Sequence, residues 1–235
     1  MPLTLDQQNA YRKRYAQKHP QWQPATSVYE QTIRAHWQTG QSLLDLGCGR
    51  GGVLEQVTDL VGQRIGVDPD WSSLVEHRLP MLPRAAANAD QLPFVESSFR
   101  MVIAAWVLEH LPQPEHTFAE ISRVLQPGGV CIVMTPNRSS PIALLNRTLK
   151  PLQQTLVPLL YGRAEADTFP VVYRANTPHD LARLAQGAGL TLEACYLIPD
   201  PTYLAFNEPL YRLSAAVTDL LPTRWAVHLV GVLRK

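Results

Sequence analysis

Residues 43–52 read LLDLGCGRGG, an apolar run broken by Asp45 that opens into glycines at positions 47, 49, 51 and 52. Such a segment predicts a buried strand that enters a tight turn and then a helix. Glycine tolerates the positive φ that a turn demands, and without a side chain it lets the backbone approach a ligand. A chain built around this segment has to deliver a glycine loop from the end of a strand, and a small cofactor is the expected occupant. The spacing Gly47-x-Gly49-x-x-Gly52 also satisfies the dinucleotide pattern, in which a pyrophosphate rests on a helix N-terminus. Asp45 weighs against that ligand: a carboxylate at the mouth of the loop repels a pyrophosphate and attracts an amino group or a sulfonium.

Downstream, Val53, Leu54, Val57, Leu60 and Val61 stand at helical spacing, so a helix is expected over 53–61 with one face on a sheet. A second strand, 64–67, ends in Asp68. An acid about 20 residues past the glycines is placed to accept hydrogen bonds from both hydroxyls of a ribose. The competing role for Asp68 or Asp70 is a helix N-cap, with Pro69 early in the helix. After a small-residue strand near 84–87 comes the polar cluster Asn88-Ala89-Asp90-Gln91-Leu92-Pro93-Phe94. Asp90 there could accept from an exocyclic amine such as adenine N6, or form an Asx turn. A third strand, 101–106, leads into Val107-Leu108-Glu109-His110-Leu111 and a helix carrying Phe118, Ile121 and Leu125 on one face. That helix is expected to stop at Gln126-Pro127-Gly128-Gly129, before the continuous apolar strand 130–134. Strands alternating with helices predict a largely parallel sheet.

Taken together, LLDLGCGRGG, GVDPD, NADQLPF, the VLEHL segment and EISRVLQPGG resemble the class I S-adenosylmethionine-dependent methyltransferases, in particular their small-molecule, type 11-like branch. The resemblance covers about residues 40–137. It implies an α/β, Rossmann-like, doubly wound and mostly parallel seven-stranded sheet with an antiparallel edge strand, with N-terminal helices and a helical lid insertion. It also implies S-adenosyl-L-methionine as cofactor. Asp45, Gly47, Gly49 and Gly51, with Cys48, would hold the methionine part. Asp68 beside Pro69 would bind the ribose, and Asp90 the adenine, with Ala89 and Leu92 as backbone or apolar neighbours. Relatives often carry Asp where this chain has Arg100; the position falls at a strand entrance, away from cofactor contacts.

Methyl transfer from a sulfonium is an in-line displacement by an already activated donor, so positioning supplies most of the rate and no nucleophilic residue is needed. An acceptor hydroxyl must lose a proton, and His110, just beyond the carboxyl end of the strand near Trp106, is the candidate base; a cofactor-contacting role is its alternative. Trp106 either shields the adenine or sulfonium through an aromatic contact or packs in the core. The leading function is a methyltransferase acting on a small, fairly apolar metabolite, most readily at oxygen. The alternatives are a non-catalytic scaffold that binds S-adenosylmethionine or S-adenosylhomocysteine, and a nicotinamide-dependent oxidoreductase, against which Asp45 and NADQLPF argue.

A net charge of +1 provides no field for nucleic acid, and a hydrophobic fraction of 46% fits one ordinary globular domain over the 235 residues. Within it the expected organisation is a helical cover at 1–40, a cofactor core at 41–137, a helical lid at 138–175 and a closing helix with edge strands at 176–235. Cys48, Cys131 and Cys195 fit no disulfide framework or zinc spacing, and the seven histidines form no H-E-x-x-H pair, so no metal is expected and a reducing compartment is. A polar N-terminus and the lack of a long apolar run point to the cytoplasm. The expected partner is a small-molecule methyl acceptor, with no nucleic acid, no integral membrane association, and a homodimer left open.

Tyr11-Arg12-Lys13-Arg14-Tyr15 reads as a solvated helix face, or else as a segment whose Tyr11, Arg14 or Tyr15 closes over the cofactor carboxylate. A helix over 28–37 is expected to open on a capping box, Ser27 with Glu30, and to present Tyr29, Ile33 and Trp37 on one face. After Asn137, about forty residues separate this strand end from the next clear helix, 178–188, which Thr177 or Asn176 would cap. Ile142, Leu145, Leu149, Leu152, Leu156 and Leu159 at mixed spacing, with Pro151 and Pro158, predict two short amphipathic helices forming a lid over the acceptor; a dimer contact or a membrane-surface helix is the alternative. Strands are expected at 190–198 and 226–233. Tyr203, Phe206, Asn207, Glu208 and Tyr211, in the insertion between them, either reach the acceptor or pack on the sheet.

Overall fold

Seven segments among the described residues form strands, the central ones apolar runs. The computed structural model, which describes residues 3–148 and 171–235, pairs them into one sheet. The strands are β1 (Ser42–Leu46), β2 (Gln63–Asp68), β3 (Arg84–Ala86), β4 (Phe99–Ala105), β5 (Leu125–Pro136), β6 (Thr191–Ile198) and β7 (His228–Arg234), in the order β3-β2-β1-β4-β5-β7-β6. The pairs β1–β2, β1–β4, β2–β3 and β4–β5 are parallel. β7 runs the other way. Gly128 donates to Lys235 O and Lys235 to Gly129 O (2.9 and 3.1 Å) at the start of β5, while Asn137, past its end, donates to Val227 O. The reversed strand thus lies one place in from the edge, beside β6.

The chain sorts into two compact units. The sheet unit holds Thr26–Thr135, Val171–Tyr196 and Val230–Lys235, and the helical unit holds Met1–Ala25, Pro136–Pro170 and Leu197–Leu229.

In the sheet unit, Leu43, Leu44, Val102, Ile103, Cys131, Ile132 and Val133 are essentially inaccessible, which is why these strands read as continuous apolar runs. Helices cover them with matching stripes: Tyr29 and Ile33 from α2 (Ala25–His36), Phe118 and Ile121 from α4 (Pro114–Val124), and Leu181 and Leu184 from α6 (Pro178–Gly187). Each such side chain contributes about 1.5–3 kcal/mol by leaving water. α6 opens as expected, Thr177 Oγ1 accepting from Asp180 N at 3.0 Å.

Local readings fail where distant residues claim the backbone. Residues 53–61 form only a single 3-10 turn, Val53–Glu55. Arg64 takes the carbonyls of Val57 and Thr58, and Arg34 takes that of Gln56, while three valines and a threonine lower the helical preference of the segment. α2 begins at Ala25, ahead of the capping box; Ser27 lies inside it and Glu30 is bound to Arg34 instead. α4 ends at Val124, and Leu125 together with Gln126-Pro127-Gly128-Gly129 already belongs to β5. Arg100, near the start of β4, donates to Pro127 O at 2.9 Å.

The helical unit contains α1 (Leu5–Lys18), α5 (Pro141–Thr148) and α7 (Glu208–Leu220). In the basic run on α1, Lys13 and Arg14 are exposed, while Tyr11, Arg12, Arg14 and Tyr15 have partners within this unit. The Tyr11 ring stacks on Tyr211 with centroids 4.3 Å apart, Arg14 forks onto Glu208, Arg12 pairs with Asp200, and Tyr15 donates to Asp219. Asn207 caps α7 by accepting from Leu210 N. Of the expected lid, α5 carries Ile142 and Leu145, whereas Leu149, Pro151, Leu152, Leu156, Pro158 and Leu159 lie outside the described residues. Among the described residues no helix is long and apolar enough to cross a membrane, and no cluster of His, Cys, Asp and Glu could hold a metal ion.

Candidate active site

The strand order reverses direction at β1: β2 and β3 extend to one side of it, β4 and β5 to the other. In such sheets a crevice opens beyond the carboxyl ends of the strands at this switch point. The loop after β1 falls there. Gly47 (φ 75°) and Gly51 (φ 122°) occupy backbone conformations that side chains rarely adopt, and a Cβ on Gly47 would clash with Val107 Cγ2. The amides of Gly47 and Cys48 are both anchored on Val67 O (2.7 and 3.1 Å), fixing the loop on the end of β2.

A cavity of about 160 Å³ opens under the loop, lined by Asp45, Gly47, Cys48, Gly51 and Trp106 together with Thr26, Tyr29, Gln56 and Met134. Its volume suits one moiety of a cofactor. Asp45 is 5% exposed, and no lysine or arginine pairs with it among the described residues. Burial first, and the Asp68 charge second, push its carboxyl up to about 7. A cation brought close to a buried carboxylate favours its ionised form. The residues therefore fit an ammonium-bearing ligand in a glycine cradle.

Asp68, at the end of β2, holds the loop together. Oδ2 accepts from Gly49 N at 2.9 Å and Oδ1 from Asp70 N at 2.8 Å. Helix capping falls to Asp70, which accepts from Ser72 N and Ser73 N at the start of α3 (Trp71–Val75). Of the two acids, Asp70 thus takes the capping role. A carboxylate offers about four lone-pair sites, so Asp68 retains capacity for ligand hydroxyls.

Cys48 is buried and its thiol is pushed up to about 12 by burial, which makes it a wall rather than a nucleophile. Trp106, at the end of β4, has φ 61°, a strained conformation for a bulky residue, while its amide extends the ladder to Met134 O at 2.9 Å. Pro69, Gly49, Ala89, Asp90 and Leu92 do not line the 160 Å³ cavity. Ala89 is half-buried and Asp90 exposed, in a turn closed by Gln91 N on Asn88 O. Leu92 is buried and its amide donates to Glu120 at 2.7 Å, while Arg123 grips the carbonyls of Leu92 and Phe94. Leu92 thus anchors its loop to α4.

His110 closes the 3-10 turn Leu108–His110 after β4, and its side chain is about a third exposed, also outside that cavity. Its Nε2 lies 4.0 Å from Oε1 of Glu109. Sequence reasoning passed over Glu109, which is 5% exposed and has its carboxyl raised mainly by burial. Thr135 Oγ1 donates to Glu109 Oε2 at 2.9 Å and Asn176 Nδ2 donates to Thr135 Oγ1 at 2.6 Å. The Glu109 carbonyl in turn accepts from the amides of Val172 and Tyr173. The one available signal was adjacency to His110, since the partners lie 26 and 67 positions away.

Comparison with known proteins agrees with this geometry. Residues 44–133 match a family described as a methyltransferase domain. A Mycolicibacterium smegmatis protein named a probable S-adenosylmethionine-dependent methyltransferase is 36% identical over 106 residues, covering 44% of this chain and 41% of that protein. The chain thus spans about two fifths of that relative's length. The ubiquinone biosynthesis O-methyltransferase of Thiobacillus denitrificans is 30% identical over 195 residues, covering 79% of this chain and 78% of that enzyme. Among solved structures, the geranyl diphosphate C-methyltransferase of Streptomyces coelicolor, in complex with Mg2+, geranyl diphosphate and S-adenosyl-L-homocysteine, shares the fold with a TM-score of 0.63 at 13% identity, covering 88% of this chain and 80% of that one. The fold and the glycine-loop crevice define a cofactor-binding α/β protein. The chain belongs to the class I S-adenosylmethionine-dependent methyltransferase family.

Proposed function

We propose that this chain transfers the methyl group of S-adenosyl-L-methionine to a small, fairly apolar metabolite, at an oxygen atom. The observation that carries the reading is Asp45, a buried carboxylate in a glycine cradle with no cation of the chain's own paired to it among the described residues. Oxygen is favoured by similarity to a relative named as an O-methyltransferase.

When bound, the cofactor supplies an electrophilic methyl group on a sulfonium. Asp45 accepts hydrogen bonds from its ammonium, and the loop of Gly47, Cys48, Gly49 and Gly51 lets the backbone close on the methionine end. Asp68, already oriented by Gly49 N and Asp70 N, accepts from the ribose hydroxyls next to Pro69. Asp90 accepts from the adenine amine, flanked by Ala89 and by the loop that Leu92 anchors. Trp106 covers the donor from the end of β4. His110 takes the proton of the acceptor hydroxyl, a step whose loss lowers rates by roughly 10² to 10⁴.

Two variants test these assignments. Asp68→Ala removes charge-assisted bonds worth about 1.5–3 kcal/mol, so calorimetric affinity for S-adenosylhomocysteine should fall at least about tenfold. His110→Ala should lose turnover of labelled methyl onto phenolic and alcoholic acceptors while keeping cofactor affinity; loss of both would make His110 a binding residue instead.

A further inference from the structure

The helical unit encloses a second cavity, of about 790 Å³, within the range of small-molecule sites. One wall is α7, which lines it with Leu210, Leu213, Ser214, Val217 and Thr218, followed by Leu221, at three- and four-residue spacing. The stripe is about 16 Å long at 1.5 Å per residue. Ile142, Leu204 and Trp225 are among the residues that complete the lining. The helix is held from another side, where Tyr211 stacks on Tyr11 and Glu208 binds Arg14. The cavity wall by contrast is left open to solvent: Leu213 is 61% exposed and Val217 46%. Clustered large apolar side chains left in water mark a place that something else covers.

The polar part of the lining specifies what that is. Asp219 Oδ1 accepts from Tyr15 Oη at 2.6 Å and lies 3.4 Å from His19 Nε2, and no arginine or lysine pairs with it among the described residues. Asp200, the other carboxylate of the lining among the described residues, is satisfied by Arg12 at 2.8 Å and by Thr202. The cavity therefore offers a long apolar wall and one carboxylate still able to accept through Oδ2. An anionic head would be repelled there, a neutral one would gain little, and a cationic N–H head would form a charge-assisted bond.

We propose that this cavity binds an amphipathic amine, its apolar chain lying along α7 and its ammonium on Asp219. The site uses none of the residues assigned to methyl transfer, and its test does not involve the cofactor. The probe is dodecylamine, titrated calorimetrically into the full chain at pH 8, with dodecanol and dodecanoate in parallel. One dodecylamine should bind per chain, at least about fivefold more tightly than dodecanol, the scale of an exposed ion pair. Asp219→Asn, which keeps an acceptor for Tyr15, should remove that preference and leave dodecanol affinity in place. Val217→Trp, at a half-exposed position, should fill the cavity and abolish both affinities while the melting curve stays cooperative. Absence of saturable binding, equal affinity for the three probes, or a preference that survives Asp219→Asn would overturn the proposal. So would a dimer of this chain that Val217→Trp dissociates without changing amine binding.

Discussion

Asp45→Asn is expected to stabilise the unliganded protein and at the same time to weaken its hold on the cofactor. The Asp45 carboxyl is raised from 3.8 to about 7, by burial and then by the charge of Asp68. A folded-state value above the unfolded one means that the native state binds the proton more tightly. Stability from this group is fully present below pH 4 and is lost as pH climbs through 7, because the buried charge must then be formed. At about 1.4 kcal/mol per pKa unit, replacing the acid at pH 8 removes a penalty on the order of 4 kcal/mol. For a chain of this size that is a rise of roughly 8–16 °C in Tm. At pH 5 the gain should shrink, since most of the penalty is absent there. S-adenosylhomocysteine binding should move the other way. Losing a charge-assisted bond of about 1.5–3 kcal/mol weakens affinity by roughly 10- to 100-fold. Wild-type affinity should climb as pH rises through 7, and the variant should show no such rise. Thermal melts and calorimetry across pH 5–8 read both effects.

Glu109→Ala should be the most destabilising single change near the site, at about 3 kcal/mol, because it strands a buried hydrogen-bond chain. Thr135 and Asn176 are both fully buried, and Thr135 loses the acceptor that orients its hydroxyl. Glu109→Gln keeps an oxygen for Thr135 and removes a carboxyl whose ionisation burial opposes, so its cost should stay below about 1 kcal/mol. Because the Glu109 pKa is raised on folding, the deficit of the glutamine variant should shrink as pH rises above the ordinary carboxylate range. Urea denaturation of the two variants at pH 5 and pH 8 separates these outcomes.

The sheet was legible because its central strands are buried on both faces, so their composition alone marks them, and the glycine loop declared itself through residues that only a turn requires. Asp68 and Asp70 were both visible, but which of them caps α3 depends on which amides point at each carboxylate, a matter of backbone direction. Residues 53–61 misled because arginines 34 and 64 take carbonyls that a helix would have used. The partners of the run Tyr11 to Tyr15 were not legible because they, Asp200, Glu208, Tyr211 and Asp219, stand nearly 200 positions later. Glu109 was hidden for the same reason: a buried acid is identified by what surrounds it, and Thr135 and Asn176 share no pattern with it in sequence.

The central claim is that the crevice after β1 takes S-adenosylmethionine, and ligand-induced thermal shift tests it most directly. S-adenosylhomocysteine at a hundredfold excess over its Kd should add about 2.7 kcal/mol of stability, raising Tm by roughly 5–10 °C, while NAD+ and NADH leave the melt unchanged. A melt raised by the nicotinamide nucleotides and indifferent to S-adenosylhomocysteine would contradict the account.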